Sequence, residues 1–216
     1  GGGLYTVTLS NILPETVKKG GMIYNTAHFS GNYVIRGSRF HENRARGLLL
    51  QSGNGLCENN TFYKIMGNAI RIIMDVSPGL WQEGTGVNNL VVRNNTFNMC
   101  SYSNWGATVF IGTQIAGKTA KTETAFTNIK ISGNTFKDSP ATVLDANNIS
   151  GFEFSGNTIS NELAYSRDID RGRLNFGFYC TSVNLENNAW TASRYMFLPE
   201  VPKFLNPAMF DVSYNY

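Results

Sequence analysis

Six eight-residue segments of the chain align without gaps and alternate between apolar and polar positions. They are Tyr33–Phe40, Gly55–Phe62, Leu90–Phe97, Ile129–Phe136, Phe152–Ile159 and Val183–Trp190. The third column reads Ile35, Cys57, Val92, Ile131, Phe154 and Leu185, and the eighth reads Phe40, Phe62, Phe97, Phe136, Ile159 and Trp190. The first column is apolar except at Gly55, whereas the fourth holds Arg36, Glu58, Arg93, Ser132, Ser155 and Glu186. Period-two alternation marks a half-buried strand. The sixth column holds Ser38 and then Asn60, Asn95, Asn134, Asn157 and Asn188. Asparagines stacked at one bend can bond both backbone and neighbouring amides, which satisfies the polar groups of a buried turn.

Sixth-column spacings of 22, 35, 39, 23 and 31 residues fit a coil of three short strands, lengthened where loops leave it. A leucine-rich repeat would keep a steadier period, and a sandwich has no use for a fixed Asn column. The pattern therefore predicts an all-β chain: a right-handed parallel β-helix of about six coils, with loop insertions at one corner. At roughly 4.8 Å per coil the rod is about 29 Å tall. A second strand is expected in Gly47–Ser52, Ala69–Met74, Ala107–Gly112, Ala141–Ala146 and Phe176–Thr181. Residues 1–216 read as one β-helix domain with further coils expected upstream, with the repeat over 13–195 and a C-terminal cap over 196–216. The segment Thr6–Tyr24 is less regular, either an incoming strand and turn or part of an upstream coil.

Composition narrows the function. The chain is 42% hydrophobic and 15% charged, which is globular, and its net charge of +3 is too small and too dispersed for a nucleic-acid stripe. No apolar run is long enough to span a membrane as a helix. The odd count of 3 cysteines shows neither CxxC spacing nor a disulfide framework, so they read as buried thiols. His28 and His41 are the only histidines, and no Cys/His cluster supports zinc; no cofactor or metal is expected.

Candidate chemistry gathers in two stretches. In the run Ala69–Asp75, alternation turns Ile70, Ile72 and Met74 inward and Arg71, Ile73 and Asp75 outward. The following loop carries Trp81 and Glu83. Two carboxylates beside a tryptophan suit a sugar site: one protonates the leaving oxygen, the other activates water or attacks, and the aromatic face packs on the sugar ring. The competing explanation is that Asp75 caps a turn and Glu83 is solvated. The second stretch is His41–Arg46, where Arg44 and Arg46 share parity and suit a carboxylate or sugar hydroxyls. The competing explanation there is an ion pair with Glu42 or Glu58. Tyr102 and Trp105 extend the aromatic surface or simply pack a loop.

The runs Leu13–Asn25 (LPETVKKGGMIYN), FHENRARGLLLQS, ENNTFYKIMGNAIRI and WQEG followed by NNLVVRNNTFNMC resemble the β-helix of glycoside hydrolase family 110, bacterial exo-acting α-1,3-galactosidases. The specific part is NRARG at 43–47 with the Asp-to-Trp-x-Glu-Gly loop at 75–84. The resemblance implies metal-independent, inverting removal of terminal α-linked galactose from an oligosaccharide or polysaccharide, in a secreted, periplasmic or cell-surface protein. It makes Asp75 and Glu83 the candidate acid and base. It assigns His41, Arg44, Arg46, Arg71, Trp81 and Trp105 to the sugar. Enzymes of this family are longer, so upstream coils are an alternative source of catalytic carboxylates. Two other classes compete: a non-catalytic carbohydrate-binding or adhesive β-helix, and a polysaccharide lyase.

Overall fold

A computed structural model of the chain describes residues 6–15, 17, 30–77, 81–103, 106–115, 124–161, 173–177 and 179–191. The 196–216 cap, Trp105 and most of the segment Leu13–Asn25 lie outside the described residues. The rest winds as a right-handed parallel β-helix. The first coil holds β1 (Val34–Arg36), β2 (Arg39–His41) and β3 (Leu48–Leu50). The second holds β4 (Gly55–Glu58), β5 (Thr61–Tyr63) and β6 (Ile70–Ser77), followed by β7 (Trp81–Glu83). The third holds β8 (Val87–Arg93), β9 (Thr96–Asn98) and β10 (Val109–Ile115). The fourth holds β11 (Phe126–Ser132), β12 (Thr135–Lys137) and β13 (Leu144–Ala146), and the fifth β14 (Ile149–Ser155), β15 (Thr158–Ser160) and β16 (Leu174–Phe176). Two strands of a sixth coil are described, β17 (Thr181–Glu186) and β18 (Ala189–Thr191).

Every coil adds one strand to each sheet it reaches. The first sheet runs β1-β4-β8-β11-β14-β17, the second β2-β5-β9-β12-β15-β18 and the third β3-β6-β10-β13-β16. All these pairings are parallel, and the register stacks the sequence columns as aligned: Ile35 on Cys57, Cys57 on Val92, Val92 on Ile131, Ile131 on Phe154, Phe154 on Leu185. Each eight-residue repeat thus covers two strands with a bend between them. The core is one continuous column. Phe40, Phe62, Phe97 and Phe136 stack face to face with centroids 5.0, 4.9 and 4.7 Å apart, a spacing set by the strand repeat. Gly55 breaks the first column because a Cβ there would lie 2.3 Å from the Tyr33 ring, which fills that space and donates a hydrogen bond to the Ser52 carbonyl.

The asparagine column lines the bend between the first and second sheets. Each Oδ1 accepts from the backbone N–H and, where present, the Nδ2 of the residue one coil below, all at 2.9–3.0 Å from Ser38 up to Asn188. Each Nδ2 also reaches a carbonyl of the previous coil: Ile35, Cys57, Val92, Ile131 and Phe154 in turn. The five asparagines are at most 3% exposed. The bend buries polar backbone, and the stacked amides satisfy it.

One predicted strand shifts. The third sheet takes Leu174–Phe176 rather than a strand that begins at Phe176, with Leu174 opposite Leu144 and Phe176 opposite Ala146. Leu174 and Phe176 are the inward pair, and beyond them Gly177 turns the chain with its N–H on the Ala146 carbonyl. Residues 6–15 hold no strand.

Candidate active site

The third sheet is where the coil departs from its minimum. β6 and β10 run on for 8 and 7 residues, past the 3 of β3 and β13, and both long insertions leave after them. After β6 the chain doubles back as β7, which pairs antiparallel with β6 and sets Asp75 opposite Glu83. Residues directly opposite in an antiparallel pair project to the same side with Cβ atoms about 5 Å apart. The two predicted carboxylates therefore share one face. Gly84 follows β7 at φ +75°, and a Cβ there would lie 2.7 Å from the Ile73 carbonyl. The backbone at Gly84 packs close on β6, and Ile73, outward by alternation, is 2% exposed without belonging to the interior cluster.

A cavity of about 480 Å³ opens on this face, lined by Ala45, Arg46, Asn68, Arg71, Asp75, Gly106 and Gln114. It takes residues from three successive coils. Arg71 is its most fixed member. Its guanidinium donates to Asn68 Oδ1 at 3.0 Å and Gln114 Oε1 at 3.4 Å and lies 4.6 Å from the centre of the Phe110 ring. Burial first, then the nearby Arg46 charge, pulls Arg71 below the usual guanidinium value, and Asp75 partly offsets this. Asp75 accepts from Ser77 Oγ at 3.2 Å, and Gln51 Nε2 donates to Glu83 Oε2 at 3.4 Å.

The structure brings Arg46, Arg71 and Asp75 together around the cavity and sets Glu83 beside Asp75 without making it part of the lining. His41 and Arg44 are exposed residues outside the lining, and His41 Nδ1 meets Glu42 at 3.1 Å. The ion pair considered for Arg44 or Arg46 with Glu58 is not formed: Glu58 is held by Arg36 at 2.5 Å and Arg93 at 2.7 Å. Trp81 begins β7, and its side chain lies outside what is described. Sequence reasoning missed Asn68, Gln114 and Phe110. Aligning the second-strand runs would have found two of them, since Phe110 pairs with Arg71 and Gln114 with Asp75. It also missed Asp145, next to Phe110 in the same row, whose carboxyl burial pushes above the usual range while Asn147 lowers it. The cysteines are poor nucleophiles, as burial pushes Cys57 and Cys100 up to about 12. Among the described residues no three His, Cys, Asp or Glu side chains form a group able to hold a metal ion, and no helix is long and apolar enough to cross a membrane.

Fold and cavity define a parallel β-helix with a polar, arginine-lined site on one outer face. Its relatives are glycosidases. The chain is 34% identical over 158 residues to alpha-1,3-galactosidase A of Shewanella woodyi, which is 72% of this chain and 25% of that protein. It is 32% identical over 189 residues to alpha-1,3-galactosidase B of Bacteroides thetaiotaomicron, 85% of this chain and 30% of that protein. Alpha-1,3-galactosidase A of Bacteroides fragilis is 33% identical over 127 residues, 58% of this chain. The resemblance to glycoside hydrolase family 110 is thus borne out over most of the chain, which spans about a quarter to a third of the length of these first two relatives. No protein-family model matches it.

Proposed function

We propose that this β-helix belongs to a glycoside hydrolase that removes terminal α-linked galactose, with Asp75 and Glu83 as the acid and base. The observation that carries the reading is the cross-strand pairing of these two carboxylates at the edge of a cavity containing Arg46 and Arg71. The relatives named alpha-1,3-galactosidase support the choice of α-linked galactose. In the inverting reaction one carboxylic acid protonates the glycosidic oxygen as the bond breaks, and the other carboxylate takes a proton from water attacking the opposite face of the sugar. That geometry needs the carboxyls about 6.5–9.5 Å apart, more than the roughly 5 Å of the paired Cβ atoms, so the side chains must splay around the bound sugar. Arg71, held by Asn68 and Gln114, orients the substrate at little entropic cost. The proposal includes metal independence and a secreted, periplasmic or cell-surface location, the latter because the substrate is a glycan.

A panel of α-galactosides assayed with wild type, Asp75→Asn and Glu83→Gln tests the roles. Each variant is expected to lose about 10²–10⁴-fold in kcat, the usual worth of a positioned acid or base. Proton NMR of the first product anomer reads the stereochemistry, and β-galactose from an α-galactoside is the inverting outcome. Equal turnover in all three proteins removes both residues from the mechanism and moves it to other coils. Sugar binding without turnover in the wild type replaces the hydrolase with a carbohydrate-binding module.

A further inference from the structure

We propose that Asn54 is a site of spontaneous covalent modification: its side-chain amide is lost to attack by the backbone nitrogen of Gly55, leaving aspartate or isoaspartate at this position of the folded protein.

A second asparagine column, on the outside of the coil, locates the site. One residue ahead of the first repeat column stand Asn32, Asn54, Asn89, Asn128, Gly151 and Ser182. All six have left-handed backbone, with φ between +50° and +67°. Glycine and asparagine tolerate that conformation best, so the corner that leads from the third sheet into the first selects them. Unlike the buried ladder, this column is exposed at Asn32, Asn54, Asn89 and Asn128. Its side chains bond to one another: Asn89 Nδ2 donates to Asn54 Oδ1 at 3.1 Å, and Asn128 Nδ2 donates to Asn89 Oδ1 at 3.2 Å.

What separates Asn54 from its neighbours in the column is the next residue. Tyr33 follows Asn32, Leu90 follows Asn89 and Ile129 follows Asn128, whereas Asn54 and Gly55 make the one Asn-Gly pair in the chain. The core dictates that glycine, since the Tyr33 ring occupies the place of a Cβ at position 55. A side chain on the following residue shields its nitrogen and restricts the rotation that brings it to the amide carbon; glycine does neither. The Asn89 donor on Oδ1 assists, because it draws electrons from Cγ and steadies the oxyanion formed on attack. The left-handed turn must open locally for the attack, which an exposed corner does at low cost.

The Gly55 nitrogen, giving up its proton, bonds to Asn54 Cγ; the Cγ–Nδ2 bond breaks and ammonia leaves with that proton. One water then opens the cyclic imide. Cleavage between Cγ and the nitrogen gives aspartate. Cleavage at the main-chain carbonyl carbon gives isoaspartate, in which the main chain runs through Cγ. Either product replaces a neutral amide by a carboxylate. Isoaspartate also lengthens the backbone where the Asn54 N–H donates to the Asn88 carbonyl at 2.8 Å and the Gly53 carbonyl accepts from the Asn32 N–H at 3.3 Å. Those two bonds join the first three coils at this corner, so the isoaspartate form is the less stable one.

The test is site-resolved mass spectrometry of the folded protein during incubation at mildly alkaline pH, where the attacking nitrogen loses its proton more readily. Asn54 should gain the mass of an amide exchanged for an acid about tenfold or more faster than Asn32, Asn89 or Asn128, a barrier difference of about 1.4 kcal/mol. An isoaspartate-specific methyltransferase should label the same position. Asn54→Gly puts at this corner the residue that Gly151 already supplies in a later coil. That variant should melt like fresh wild type and keep its melting temperature on incubation, while the wild type loses part of its own. Conversion at Asn89 or Asn128 as fast as at Asn54 overturns the proposal. So does an unconverted Asn54 in the folded chain when a free peptide of residues 51–57 converts under the same conditions, because the corner then protects the pair.

Discussion

Two corners of the same coil obey opposite rules. At the bend between the first and second sheets every turn repeats its predecessor: asparagine above asparagine, each amide bonded up and down the stack. At the end of the third sheet the strands run long, β7 folds back on β6, and the side chains facing out are cations, amides and carboxylates rather than a repeated residue. The bend is buried and saturated; the outer face is partly open and lined by charged and amide side chains. In a solenoid, stability comes from neighbour-to-neighbour repetition, so a site must be placed where repetition is interrupted.

The largest effect is expected from breaking the repetition itself. Asn134→Ala removes acceptors from the Asn95 N–H and Nδ2 and donors to the Val92 carbonyl and to Asn157. Each orphaned buried group costs about 1–3 kcal/mol, so a loss of about 3–5 kcal/mol is expected in chemical denaturation. A loss under 1 kcal/mol means the ladder follows from the fold and does not hold it. Gly84→Ala probes the other corner. The substitution forces a Cβ onto the Ile73 carbonyl in left-handed backbone, with strain of about 1–3 kcal/mol expected. Because the hairpin carries Glu83, turnover should fall by a larger factor than global stability does. Equal losses in both would tie the hairpin to the fold instead.

The contrast also explains what could be read from the sequence. The ladder and the phenylalanine stack were legible because each coil must offer the same residue type at the same place. Gly55, the exception, was opaque until the Tyr33 ring appeared above it. At the outer face, alternation gave the side of Arg71 and Asp75 correctly, and the short spacing from Asp75 to Glu83 hid a hairpin pairing that no period announces. Asn68 and Gln114 were invisible as single residues, since an amide acquires meaning only from what the next coil sets beside it. The strand at Leu174–Phe176 was misplaced because only three residues of it pair, and Phe176 is their last.

The smallest effect, and the finest discriminator, is in the acid. Glu58 on the first sheet is bonded by Arg93 and Arg36, and these bonds, that of Arg93 foremost, hold it below its ordinary 4.5. Asp145 on the third sheet has an amide partner, and burial holds it above its ordinary 3.8. The signs of linkage are therefore opposite. Below about pH 4.5 the unfolded chain takes up the Glu58 proton before the folded one does, so its contribution to stability is lost as pH falls through the folded value. Asp145 takes its proton more readily when folded, so stability rises as pH falls through its raised value and declines again above it. Urea midpoints between pH 3 and 6 should show Glu58→Gln flattening the acid loss and Asp145→Asn steepening it. Slopes shifting in the same direction would mean that the third-sheet carboxyl has a cation beside it, and the two faces would no longer differ in how they treat charge.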